Sequence, residues 1–219
     1  MFGKNEQLGV EKGDGNYLKI HSIFDTIQGE GPYAGHPAVF IRVSGCNLAC
    51  KFCDTEFDSF DLLSVDEILQ NIKGLNSKAK IIVITGGEPF RQNINKLCKL
   101  LILQSFKVQI ESNGTLYAEI PDEVEIVCSP KIVNGQYIKI KEDILKRCIA
   151  IKFLVSSHIS DYGCISELGQ SKYNIPVYIQ PIDEYNEEIN ENNIELAKSI
   201  VMENCAILSL QIHKIINIQ

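Results

Sequence analysis

AVFIRVSGCNLACKFCDT, residues 38–55, decides how the rest of the chain is read. Its first part, Ala38 to Val43, is a short apolar run bounded by Pro37 and Gly45, which predicts a buried strand. Its second part puts Cys46, Cys50 and Cys53 on the loop that leaves that strand. A [4Fe–4S] cluster normally takes four cysteines and a structural zinc site four closed ligands, so three thiolates leave one position open to a small molecule. Spacing alone leaves two other readings: zinc completed by a distant ligand such as Cys128 or His36, or a chance grouping of inert cysteines. A redox pair is disfavoured because nothing thioredoxin-like surrounds Cys50 and Cys53.

Working outward, apolar runs alternate with helical patterns. Strands are expected at Leu18–Thr26, Lys80–Thr85, Lys107–Ser112, Val124–Cys128, Ala150–Val155, Val177–Gln180 and Ala206–Ile212. Helices are expected after the capping box Ser64-Val-Asp-Glu67, over Ile94–Leu103 and over Ile194–Met202. This alternation is the pattern of βα units and a parallel sheet. Polar residues and glycines gather just after several strands, where parallel α/β folds bind ligands. The polar run Asp183 to Asn193 reads as an exposed connection or a helix start.

Composition narrows the classes further. A chain of 219 residues fits one domain, 1–219, with a polar N-terminal arm over 1–16. A net charge of -7 argues against direct nucleic-acid binding, which needs a Lys/Arg surplus. No apolar stretch is long enough to span a membrane, and Met1 to Gly15 lacks the apolar core of a signal peptide, so a cytoplasmic location is expected. In that compartment disulfides are rare. The five scattered cysteines (Cys98, Cys128, Cys148, Cys164, Cys205) are expected to be inert, small buried residues.

The loop Cys46-x3-Cys50-x-Phe52-Cys53 resembles the cluster motif of the radical SAM superfamily, and Gly86-Gly-Glu-Pro89 after an apolar strand resembles its SAM-binding segment. From about Tyr17 onward the chain is also similar to one branch of that superfamily. Thr26-Ile-Gln-Gly-Glu-Gly31, Phe40-Ile-Arg42, Cys53-Asp-Thr55, Glu111-Ser-Asn-Gly-Thr115, Ser129-Pro-Lys131, Gln180-Pro-x-Asp183 and Gln211-x-His213-Lys214 carry the likeness. The resemblance implies an incomplete (β/α) TIM-like barrel of the radical SAM type. It implies conversion of 6-carboxy-5,6,7,8-tetrahydropterin to a carboxylated 7-deazaguanine with loss of ammonia, a step of queuosine biosynthesis. In this chemistry SAM serves catalytically as the source of a 5′-deoxyadenosyl radical that takes hydrogen from C6, so no protein side chain is expected to be the catalytic group.

Carried over residue by residue, the resemblance places the cluster on Cys46, Cys50 and Cys53 and Mg²⁺ on Thr55. SAM would meet Phe52, Cys53, Asp54, Gly87, Glu88, Ser112, Ser129, Pro130, Lys131, Gln180, Pro181, Ile182 and Asp183. The pterin would meet Ile27, Gln28, Gly29, Glu30, Arg42, Thr85, His213 and the terminal Gln219. Arg42 suits a substrate carboxylate; from its place on a buried strand an internal ion pair with Glu30 or Glu111 is the lesser alternative. A homodimer and a reductant such as flavodoxin or ferredoxin are implied as partners. An activating enzyme that makes a radical on a partner protein is the competing reading, and a zinc-binding module is the non-enzymatic one.

Overall fold

A computed structural model describes residues 5–53, 55, 57 and 59–218. The described residues form two compact units, one within 1–27, 36–112 and 116–125, the other within 28–35, 113–115 and 126–219.

The first unit contains β1 (Tyr17–Ile27), β2 (Pro37–Val43), β3 (Asp61–Ser64), α1 (Val65–Gly74), β4 (Ile81–Gly86), α2 (Asn95–Leu103) and β5 (Lys107–Ser112). β1 runs antiparallel to both β2 and β3, while β2, β4 and β5 are parallel neighbours. Parallel strands covered on both faces read as continuous apolar runs, and Ile41, Val43, Ile82, Val83 and Ile84 are all buried. The expected capping box is present: the Glu67 amide donates to Ser64 Oγ at 3.2 Å, and the Ser64 amide donates to Glu67 Oε2 at 2.8 Å. It starts α1, which buries Ile68, Leu69 and Ile72. The row Ile94, Leu97, Cys98 and Leu101 is also buried, as its spacing requires.

The second unit contains β6 (Glu125–Cys128), a hairpin of β7 (Ile132–Val133) and β8 (Gln136–Tyr137), α3 (Glu142–Arg147) and β9 (Cys148–Val155). It continues with α4 (Gln170–Tyr173), β10 (Val177–Pro181), α5 (Glu187–Asn204), β11 (Ile207–Leu208) and α6 (Ile212–Ile215). β6, β9, β10 and β11 lie side by side and parallel.

Four expectations are corrected. The last strand is two residues, not Ala206–Ile212, and His213 sits on the short helix α6 rather than just after a strand. The helix expected over Ile194–Met202 begins earlier, at Glu187, because the Asn186 side chain accepts from the Ile189 amide at 3.1 Å, so the polar run after Asp183 is the helix start that its sequence allowed. Within it Asn193 is fully buried, accepting from the Ser157 amide at 2.7 Å and donating to the Ile182 carbonyl at 2.9 Å. Burial holds for Cys98 and Cys128, but Cys148 is half-buried and Cys164 and Cys205 are exposed. Cys205 ends α5 in the left-handed region with φ 49°, a cap position outside the apolar face.

Candidate active site

In the first unit the motif residues stand at the ends of β2, β4 and β5. Cys46, Cys50 and Cys53 are half-buried and outside any disulfide. The Leu48 amide points at Cys46 Sγ at 3.4 Å, and the Cys53 amide donates to the Cys50 carbonyl at 3.2 Å, so the loop turns back on itself. Burial pushes the Cys46 thiol up to about 11, with Glu88 and the two neighbouring cysteines adding to the shift. A metal ligand must be a thiolate, so loading this loop displaces protons. Among the described residues no three His, Cys, Asp or Glu side chains converge as one metal ion demands. A cubane asks for less convergence, because each thiolate binds a different corner iron.

Arg42 leaves β2 beside Thr85 of β4, its register partner. Its guanidinium lies over the Phe24 ring, 5.4 Å from the centroid, and donates to Thr55 Oγ at 3.2 Å. Cys53 Sγ reaches the Thr55 carbonyl at 3.5 Å. The structure therefore joins Arg42, Cys53 and Thr55 in one contiguous group. Asp54 lies outside the described residues, as does Gln219. Phe52, between the last two cysteines, is half-buried.

Glu88 is 1% exposed. One carboxylate oxygen accepts from the Phe90 amide at 3.1 Å and from Ser112 Oγ at 2.9 Å. These bonds fix its orientation. The two preceding glycines have a simple cause. A Cβ on Gly86, where φ is +108°, would come within 2.5 Å of the Val43 carbonyl oxygen, and one on Gly87 would strike the Gly45 carbonyl. The turn after β4 is thus laid directly on the backbone that leads into the cysteine loop. The Gly87 amide donates to the Val43 carbonyl at 2.9 Å and the Glu88 amide to the Gly45 carbonyl at 3.0 Å.

The second unit gathers a different set. Gln28 and Gly29 are buried, and Glu30 forms an ion pair with Lys152, itself 3% exposed on β9. Gln211 Nε2 donates to the other Glu30 oxygen at 2.8 Å. Burial pulls this carboxyl up, but Lys152, Gln211 and the nearby His213 together outweigh it and hold Glu30 well below the usual carboxylate range. The segment is latched to the chain's last turns. The Ile212 amide donates to the Gly29 carbonyl at 3.1 Å, and the Gly31 amide to Ser209 Oγ at 3.0 Å. A Cβ on Gly29 would strike the His213 ring, so the glycine is required by that approach.

The other assigned residues of this unit are engaged locally. Gln180 is buried and accepts from Ser209 Oγ at 3.3 Å. Asp183 pairs with Lys214 at 2.9 Å and accepts from the Tyr185 amide at 3.0 Å, while Ile182 is buried. Lys131 folds back on Ser129, donating to its carbonyl at 2.6 Å and its hydroxyl at 2.8 Å, with Pro130 buried between them.

The sequence pattern of the Radical SAM superfamily matches residues 40–148. Over its whole length the chain is 50% identical to a protein named 7-carboxy-7-deazaguanine synthase from Rickettsia prowazekii, with 100% of this chain and 96% of that one covered. A protein of the same name from Rhodospirillum rubrum is 33% identical, with 100% of both chains covered. The chain belongs to the 7-carboxy-7-deazaguanine synthase family. It is a radical SAM lyase, and its α/β fold is of the incomplete (β/α) barrel type expected for that superfamily. A solved structure, described as the crystal structure of QueE from Escherichia coli, matches with a TM-score of 0.76 and 28% identity, covering 89% of this chain and 94% of that one.

As a 7-carboxy-7-deazaguanine synthase family member, the chain is expected to carry a [4Fe–4S] cluster and S-adenosylmethionine. The donor set fits both: three thiols on one loop for iron, and an oriented, buried carboxylate at Glu88 for an ammonium. Two residues of this site carried no assignment at the sequence level. Lys152 had a signal, since a lysine inside the apolar run CIAIKFLV needs a buried anion. Gln211 had none beyond its place in the family-like segment before His213. Among the described residues no helix is long and apolar enough to cross a membrane.

Proposed function

We propose that the chain converts 6-carboxy-5,6,7,8-tetrahydropterin to 7-carboxy-7-deazaguanine with loss of ammonia, in queuosine biosynthesis. The full-length likeness to relatives bearing that name supports the substrate. The observation that carries it is the half-buried Glu30 carboxylate, fixed by buried Lys152 and by Gln211 beside buried Gln28. A carboxylate held this way accepts from two parallel N–H donors, as the amino-pyrimidine edge of a pterin offers. Gln28 adds a donor and an acceptor for the ring carbonyl and N–H, and by family resemblance Ile27, Gly29, Thr85 and His213 would also meet the pterin.

Cys46, Cys50 and Cys53 would hold the cluster. Phe52, Asp54, Gly87, Glu88 and Ser112 would hold the methionine end of SAM, and the 129–131 and 180–183 segments the remainder. Bound together, cluster and SAM supply homolytic hydrogen-atom transfer at C6. The protein's part is to place C6, exclude water and prevent side reactions. Arg42 is read as the partner of the substrate carboxylate, and by family resemblance Gln219 would meet the same ligand. Thr55 Oγ would be a protein ligand of Mg²⁺, whose shell is otherwise water and substrate oxygens. The chain 1–219 is read as one cytoplasmic catalytic domain that works as a homodimer and takes electrons from a flavodoxin or ferredoxin.

The test is an anaerobic assay of the reconstituted protein with dithionite, SAM, Mg²⁺ and the carboxytetrahydropterin. The expected product is 7-carboxy-7-deazaguanine by mass, without stoichiometric loss of SAM. Formation of 5′-deoxyadenosine alone would reject this substrate. In Thr55→Ala, SAM cleavage should persist while the Mg²⁺ needed for half-maximal product formation rises about tenfold or more.

A further inference from the structure

The N-terminal arm has no part in the reading above, yet it is built into the cysteine loop. Gln7 forms a parallel bridge with Cys46, and the Leu8 amide donates to the Cys46 carbonyl at 2.8 Å. Asn5 Nδ2 donates to the Thr55 carbonyl at 2.9 Å. The Glu11 amide donates to the Arg91 carbonyl at 2.8 Å, and its carboxylate takes Arg91 Nη2 at 2.7 Å and Nη1 at 3.1 Å. Both Arg91 Nη nitrogens bind one Glu11 oxygen, and the guanidinium is buried. A Cβ on Gly45 would lie 2.7 Å from Arg91 Nη1, so the guanidinium packs flat against the residue that precedes Cys46. Arg91 itself ends the short helical turn that Glu88 begins.

These contacts have a common geometry. The arm lies along the loop from its first cysteine to Thr55, and the Glu11–Arg91 pair ties it to the turn that carries Glu88. We propose that residues 5–11 are a positioning strap, in which Glu11, through Arg91, holds the Cys46 end of the cluster loop in register with the Glu88 turn. Without Glu11 a buried guanidinium loses its counter-charge beside Gly45, and the loop root must shift to let water reach it. Groups next to metal ligands that fix their orientation act in this manner, without touching the metal. The strap rests on the assignment of Cys46 as a cluster ligand.

The test uses the full chain with its cluster reconstituted. Glu11→Gln should release iron to an external chelator about ten- to hundredfold faster than wild type. KM for SAM should rise while KM for the carboxytetrahydropterin stays unchanged, and the electron paramagnetic resonance change on adding SAM to the reduced cluster should weaken. Asn5→Ala, which removes one side-chain hydrogen bond to Thr55 and leaves the buried pair intact, should show the faster iron release and the raised KM for SAM more weakly, and it serves if Glu11→Gln does not fold. A lower melting temperature with unchanged iron release and unchanged KM for SAM in both variants would overturn the strap. Cys46→Ala separates the two levels. If it keeps its full iron, the ligand assignment falls and the strap with it; if it loses iron while Glu11→Gln and Asn5→Ala do not, only the strap falls.

Discussion

The two units use their polar residues in opposite ways. In the first, Cys46, Cys50, Cys53 and Thr55 lie in one ten-residue stretch after a strand, and Glu88 follows the parallel neighbour of that strand. In the second, Glu30 takes its partners from Lys152 and Gln211, more than a hundred residues away along the chain. Local spacing holds the first group, and packing between distant elements holds the second. The first should therefore fail residue by residue with the structure intact. In the second, chemistry and stability should fail together.

The largest expected effect is in the first unit. Cys50→Ala should abolish the brown chromophore and all turnover, because a cubane with two protein thiolates is not retained. Its melting temperature without the cluster should match that of the wild-type apoprotein within a few degrees. A colourless Cys50→Ala that also unfolds would break the contrast between the units.

Lys152→Met comes next, and it should cost stability as well as activity. Removing one partner of a buried ion pair costs about 3–5 kcal/mol. The sign of the pH effect follows from the same pair. In the wild type Glu30 is depressed, so its contribution to stability is present above the ordinary carboxylate range and is lost as pH falls through its lowered value. With Lys152 gone, burial dominates, the Glu30 carboxyl rises, and the acid limb of the kcat/KM profile should move to higher pH. Lys152→Arg should restore part of it. An unmoved acid limb in Lys152→Met would mean that Glu30 is not the titrating group.

Gly29→Ala is a milder probe of the same region. Its methyl would strike the His213 ring, and overpacking of this kind costs about 1–3 kcal/mol. Chemical denaturation should show that loss, with a raised KM for the pterin. The smallest effect belongs to a cysteine outside both groups. Cys205→Gly should leave cluster content unchanged and stabilise the fold by about 1 kcal/mol or less, since the left-handed cap at φ 49° suits glycine better.

Much of this was legible because it was local. The capping box at Ser64 and Glu67, the apolar row of α2 and the continuous run of β4 each follow from periods of 3.6 or 2, and each formed within about a residue of its expected bounds. The failures share a cause. Ala206–Ile212 alternates like a strand, yet only Ile207 and Leu208 pair with β10, and the chain then turns to bring Gln211 and His213 toward the 28–31 segment. Asn193 looked like one more residue of a solvated run, but it is buried because the Ser157 amide and the Ile182 carbonyl need a partner.

By itself the sequence determined the parallel α/β class, the three-cysteine loop at a strand end and the glycine turn after β4. These depend on side-chain period and on contacts a few residues apart, which the order of residues contains directly. The tertiary structure alone decided that Glu30 is paired with Lys152, that Gly29 is required by His213, and that the N-terminal arm is bound along the cysteine loop. A buried charge is stable only where a distant segment supplies its partner, and which segment arrives there is set by how the elements pack.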